Sequence, residues 1–145
     1  MAAITHFEEI EAWKTARQLA KRVYELTAQG AFAKDFGLKD QIRRASVSVM
    51  SNIAEGFESR SQALFIDLLG RAKGSAGEVR AQLYVALDHG YISLPQFDEV
   101  YSLADKAGRQ IYRFMMYLQS QPNDSRVRDG VVEYEVKGPE LKVAG

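Results

Sequence analysis

Apolar residues recur every three or four positions in four long blocks of this chain, and turn-forming residues separate the blocks. The first block runs from Phe7 to Ala28, where Ile10, Trp13, Ala16, Leu19, Ala20, Val23, Tyr24 and Leu26 cover more than half of a helix circumference. QGAFAKDFG, with Gly30 and Gly37, closes it. The second block opens near Leu38 and ends at Gly56 or Phe57. Its stripe of Ile42, Ala45, Val49 and Ile53 is flanked by Val47, Met50 and Ala54, so the spacing predicts a helix buried on two sides. ESRS then marks a turn.

The third block spans Gln62 to His89. Ser75 and Glu78 have capping-box spacing, which raises the alternative of a break at GSAG. Leu64, Leu68, Ala72, Ala76, Val79, Leu83 and Ala86 nevertheless keep helical phase through that point, which favours one continuous helix. A mid-helix glycine costs about 1 kcal/mol relative to alanine, so Gly74 and Gly77 predict close approach of a neighbouring backbone. HGYISLP turns the chain into the fourth block, Pro95 to Gln119, with Pro95 suited to a first helical turn. Val100, Leu103, Ala104, Ala107, Ile111, Phe114 and Leu118 form its stripe. The pattern predicts an all-α, up-down-up-down four-helix bundle over residues 1–121. Beyond it, residues 122–145 form a C-terminal tail in which Val132 to Val136 alternates as a strand would. Two readings stand for the tail: a mobile end, or an arm docked on a neighbouring subunit.

Composition narrows the function. A length of 145 residues fits one domain, and 46% hydrophobic with 26% charged residues is ordinary for a soluble globular protein. Lysine plus arginine and aspartate plus glutamate number 19 each, so any nucleic-acid contact must come from a local patch. The absence of cysteine excludes disulfides, thiolate metal sites and cysteine catalysis. The N-terminus lacks a signal-peptide layout, and no run approaches the ~18 apolar residues that span a membrane. A cytoplasmic protein without a membrane partner is expected.

The segment QIRRASVSVMSNIAEG, residues 41–56, places polar groups inside the second helix. At 100° per residue Gln41, Ser48, Asn52 and Glu55 fall in one band beside the apolar stripe, where unpaired burial would cost about 1–3 kcal/mol each. A hydrogen-bonded seam at a helix or subunit boundary is the favoured reading, with a binding surface as the alternative. Catalysis at Asn52 and Glu55 lacks a partner histidine, lysine or second carboxylate.

Three basic stripes have helical spacing: Lys14, Arg17 and Lys21; Lys73 and Arg80; and Lys106, Arg109 and Arg113. The first is interleaved with Glu11 and Glu25, as on a solvated face. In the fourth helix the acids lie early and the bases late, which the helix dipole alone favours. Lys73 and Arg80 share a face with Ile66 and Tyr84, the mixture that nucleic-acid surfaces use. Arg43 and Arg44 are further candidates for phosphate or subunit contact. The only histidines, His6 and His89, have no glutamate three residues before them, which excludes the usual di-iron bundle site. No nucleotide-binding glycine loop or Ser–His–acid arrangement is visible. Neither an enzyme, a metal site nor a cofactor is expected, and His89 reads as a helix-end residue.

Gln41, Arg43, Arg44, Ala45, Ser48, Asn52, Ile53, Ala54, Glu55, Gly56 and Arg60 together resemble the characteristic motif of the "four helix bundle protein" family, encoded in intervening sequences of bacterial large-subunit ribosomal RNA genes and elsewhere in bacterial genomes. Phe7, Ile10, Trp13, Ala16, Leu19, Val23 and Tyr24 are similar to its opening helix. Phe65, Leu68, Ala72, Gly74, Ser75, Glu78, Gln82, Leu83, Gly90 and Tyr91 are similar to its third helix and turn. The resemblance covers residues 7 to about 119 and implies a bundle that assembles as a homopentamer. A relative, the accessory variability determinant of diversity-generating retroelements, binds its reverse transcriptase and nucleic acid through basic surface. Ala33, where a proline is common, and the longer tail depart from the pattern. The expectation is therefore a non-catalytic, homo-oligomeric scaffold contacting RNA or DNA through Lys14, Arg17, Lys21, Lys73, Arg80, Arg43 and Arg44. The alternative is a protein-binding accessory module, for example for a reverse transcriptase, with little nucleic-acid affinity of its own.

Overall fold

The structure, a computed structural model, describes residues 2–122 and 132–134. Five α-helices lie among the described residues: α1 (Glu11–Thr27), α2 (Gly30–Lys34), α3 (Phe36–Glu58), α4 (Gln62–Asp88) and α5 (Leu94–Ser120). The four long helices pack in a closed order, with α3 on α4, α4 on α5, α5 on α1 and α1 on α3. Their apolar stripes meet in one core that includes Leu19, Ile42, Ile53, Phe65, Leu69, Leu83, Ile111 and Phe114. Burying side chains of this size stabilises by about 1.5–3 kcal/mol each.

The first helix begins later than its apolar period suggests. Glu9 Oε1 accepts the backbone N–H groups of Thr5 and His6, each at 2.9 Å, and bends residues 7–9 into a 3-10 turn. Ile10 is extended and buried, and α1 starts at Glu11. The loop before the second block holds the short helix α2, which presses Phe32 into the core beside the Tyr91 ring, 5.3 Å away. Asp35 then caps α3, accepting the Leu38 N–H at 3.1 Å through one carboxylate oxygen and the Tyr91 hydroxyl at 2.9 Å through the other. That cap starts α3 at Phe36, two residues before the apolar period does.

The remaining turns follow their local chemistry. Ser61 caps α4, and Gly90 at φ +72° ends it. There Tyr91 N–H reaches the Ala86 carbonyl and Gly90 N–H the Leu87 carbonyl, a Schellman arrangement that needs the left-handed residue. His89 is the C-terminal cap of α4. Ser93 and Gln96 form a capping box at the start of α5, with Pro95 in the first turn. Gln62 reaches across from α4 and donates to the Leu118 and Gln121 carbonyls at 2.7 and 2.9 Å, capping the far end of α5.

One expectation needs correction. α4 is continuous through Gly74 and Gly77, but no backbone of this chain approaches either: a β-carbon at Gly74 would meet nothing, and one at Gly77 only the Arg80 side chain. The close approach is at Gly56, where an added β-carbon would lie 2.6 Å from the Phe65 ring and 3.4 Å from Leu68 Cβ. In the tail, Val132–Tyr134 form strand β2, which pairs antiparallel with β1 (Ala2–Ile4) of the same chain, Ala3 facing Glu133. The expectations for 123–131 and 135–145 lie outside the described residues.

Gly56→Ala should lower stability by about 1–3 kcal/mol, the range for overpacking a well-packed core. Urea unfolding checks this, and an unchanged midpoint would show that Phe65 yields freely.

Candidate nucleic-acid interface

The polar band of α3 divides in two. Ser48 and Asn52 are half-buried; Asn52 Nδ2 donates to the Ser48 carbonyl at 2.9 Å and to its hydroxyl at 2.8 Å. Ser75 on α4 donates to the same Ser48 hydroxyl at 3.0 Å, so this part is a seam joining α3 to α4. The side chains of Gln41 and Glu55 are exposed and hydrogen-bond to nothing among the described residues. The seam is thus shorter than the band.

The basic candidates also separate. Arg43 is half-buried: its Nε donates to Thr27 Oγ1 at 2.7 Å and an Nη to the Tyr24 carbonyl at 3.3 Å, while its guanidinium lies 4.3 Å from the centre of the Tyr24 ring. These contacts satisfy the C-terminal end of α1 and pin it to α3. Arg44 points outward and pairs with Asp40 one turn earlier at 2.9 Å. Arg80 is half-buried, with Asp105 at 3.8 Å and the Tyr101 ring at 5.8 Å, and Arg109 holds the other oxygen of Asp105 at 3.1 Å. Lys73, exposed, stands 6.0 Å from the Tyr112 ring. Lys73 and Arg80 therefore share the α4–α5 face with tyrosines, but Arg80 already has a carboxylate.

Lys14, Arg17 and Lys21 line the exposed face of α1. Lys14 pairs with Glu11 at 3.1 Å, a surface contact worth at most about 1 kcal/mol that a phosphate can replace. Lys21 has no ion pair among the described residues, and Arg17 lies 6.0 Å over the Trp13 ring. These cations rim a groove of about 770 Å³ between α1 and α3, with Trp13, Ala20, Tyr24 and Met50 on its walls and Glu8 at its lip. A second groove, of about 600 Å³ between α1 and α5, shares Lys21 and brings Lys106 to its opposite side. The apolar period places Trp13 and Tyr24 in the buried stripe, whereas Tyr24 is 43% exposed and Trp13 half-buried. The signal was present: both rings sit on the helical row next to Arg17.

Arg22 lines the α1–α5 groove. Its guanidinium holds Glu99 of α5 through two bonds of 2.7 and 2.9 Å, and Glu25 at 2.6 Å. Those hydrogen bonds hold the Glu99 carboxyl below its usual range and push Arg22 further up.

The comparisons agree with this architecture. The model of the family described as 23S rRNA-intervening sequence protein matches residues 8–113. The chain belongs to that family. A solved protein of unknown function from the S23 ribosomal protein family of Bacteroides thetaiotaomicron VPI-5482 is similar in fold, with a TM-score of 0.68 and 22% identity over 72% of this chain and 95% of that one. No curated protein matches the chain. The family match takes in α1, the seam and both grooves, and stops short of the tail. Among the described residues no helix is long and apolar enough to cross a membrane, and no three potential ligand side chains gather as a metal site would require.

The Arg22–Glu99 pair fixes the sign of one pH effect. Because the Glu99 carboxyl is depressed on folding, its contribution is present above the ordinary carboxylate range and is lost as pH falls through the depressed value. Wild type should exceed Glu99→Gln by up to about 1 kcal/mol near neutral pH, with the gap closing below about pH 4. Parallel urea titrations across pH check this, and a gap that widens in acid would contradict it.

Proposed function

We propose that this chain is the protomer of a non-catalytic, self-associating scaffold that contacts RNA or DNA through basic patches repeated around the assembly. In this reading the bundle runs up-down-up-down: Ser48 meets Ser75 and Gly56 approaches Phe65, while Gln62 meets Leu118 and Arg80 approaches Asp105. Lower numbers on one helix face higher numbers on the next in both pairs, as antiparallel neighbours require.

The observation that carries the nucleic-acid reading is the α1 face, where Lys14, Arg17 and Lys21 stand exposed beside Trp13 and Tyr24 and the row continues to Lys106. Phosphate contact needs mobile cations, and nucleic-acid surfaces combine them with exposed rings. A net charge of zero makes one such patch weak. Repetition compensates, because linked weak contacts multiply. The face suited to self-association is the outer side of α4 and α5. There Tyr84, Leu94, Tyr112 and Met116 are each between 43% and 59% exposed, and Gly74 and Gly108 leave the surface open. An apolar face of this kind marks a protein contact. A second copy is the occupant proposed, and the family resemblance implies five copies. The same face supports the second reading, an accessory module that docks on a nucleic-acid enzyme.

Titration of a labelled structured RNA across a salt series tests the leading reading. Affinity should fall steeply with salt, and Lys14→Glu with Lys21→Glu should weaken binding and reduce the logarithmic salt slope by about 2. Loss of binding with Lys73→Glu and Arg80→Glu instead would move the interface to α4–α5. No binding even at low salt would leave the accessory-module reading.

A further inference from the structure

Resting on the nucleic-acid reading above, we propose that the α1–α3 groove takes an unpaired nucleotide, its base stacked on Trp13 and its phosphates held by Lys14, Arg17 and Lys21. The groove's volume, about 770 Å³, lies within the range of small-ligand sites, roughly 300–1,000 Å³. Its composition is divided: Trp13, Ala20, Tyr24 and Met50 form apolar walls, and three cations stand along the rim, with Gln18 beside them and Glu8 the one acid.

The ring that would stack is held in place. The Phe7 ring meets the Trp13 indole edge-on, with centroids 5.2 Å apart and planes at 66°, which braces the indole from the side of the 3-10 turn. On a face of the indole sits the Arg17 guanidinium, 6.0 Å from the centroid. Guanidinium planes and aromatic rings both stack on nucleobases, and an arginine that leaves an indole face vacates a site for a base. At the other end Tyr24 is already covered by Arg43, 4.3 Å from its centre. The indole is therefore the stacking platform, and Tyr24 with Arg43 forms a fixed end wall.

This geometry selects a single strand. A duplex hides its base faces and offers phosphates alone, which the rim could hold but the indole could not engage. Stacking is indifferent to the sugar, so RNA and DNA single strands share the chemistry, and the two are compared directly.

Trp13 is the only tryptophan, so its emission reports this groove and nothing else. The full chain is titrated at low salt with end-labelled oligo(rU), oligo(dT) and a duplex, each about ten nucleotides long, reading label anisotropy and Trp13 emission together. Both single strands should raise anisotropy and quench Trp13, while the duplex leaves emission unchanged. Trp13→Leu should weaken single-strand binding roughly 5- to 150-fold, the range for one lost stacked base. A rise in anisotropy without quenching overturns the inference and leaves phosphate contact standing, as does quenching by the duplex equal to that by single strands. No rise in anisotropy with any of the three overturns the nucleic-acid reading itself. The quenching arm requires no substitution, so it decides the matter even where Trp13→Leu loses its fold.

Discussion

The bundle depends on the seat that Gly56 makes for Phe65. That ring has no room for a β-carbon beneath it, and it meets Phe57 of α3 and Phe114 of α5 edge-on, with centroids 6.1 and 5.5 Å apart. One side chain of α4 thereby ties three helices together in the core. Its position sets how α4 lies along α3, which aligns Ser75 with Ser48, 27 residues apart in the chain. The polar seam follows from the packing. Hydrogen bonds of this sort add about 1 kcal/mol each and fix register more than they drive folding.

With the core set in this way, two outer surfaces remain that packing within the chain does not use. On α4–α5, Tyr84, Tyr112 and Met116 stand out, and the carboxylate of Asp105 is already taken by Arg80 and Arg109. On α1 the balance is opposite: Arg22 alone draws in Glu25 and Glu99, which removes two carboxylates from the neighbourhood of Lys21 and Lys106. The chain is neutral overall, yet its cations are unevenly committed. That unevenness, rather than total charge, is what makes the α1 face a candidate for phosphate.

Most of the fold is legible in the sequence because four stripes of helical period have no competing pattern, and because Pro95, Gly90 and Ser61 are turn and cap residues acting locally. The start of α1 is not legible, since the bond from Glu9 back to Thr5 and His6 overrides a continuous apolar period. The glycines show the limit most clearly. Every mid-helix glycine carries a similar propensity cost, but only the facing helix decides that Gly56 is crowded and Gly74 open. The same holds for the site. Spacing along one helix groups Lys14, Arg17 and Lys21, yet it cannot show that Arg43 is spent on the end of α1, or that Lys106 arrives beside Lys21 from α5.

The proposed self-association would convert a small basic patch on a neutral chain into a surface of consequence, and native mass measures it most directly. The full chain should run in solution at a multiple of its 16.3 kDa protomer mass and fall to that mass when Tyr112→Glu and Met116→Glu place charge on the α4–α5 face. A wild-type protein of 16.3 kDa at micromolar concentration would contradict the scaffold, because no repetition would remain to strengthen its contacts.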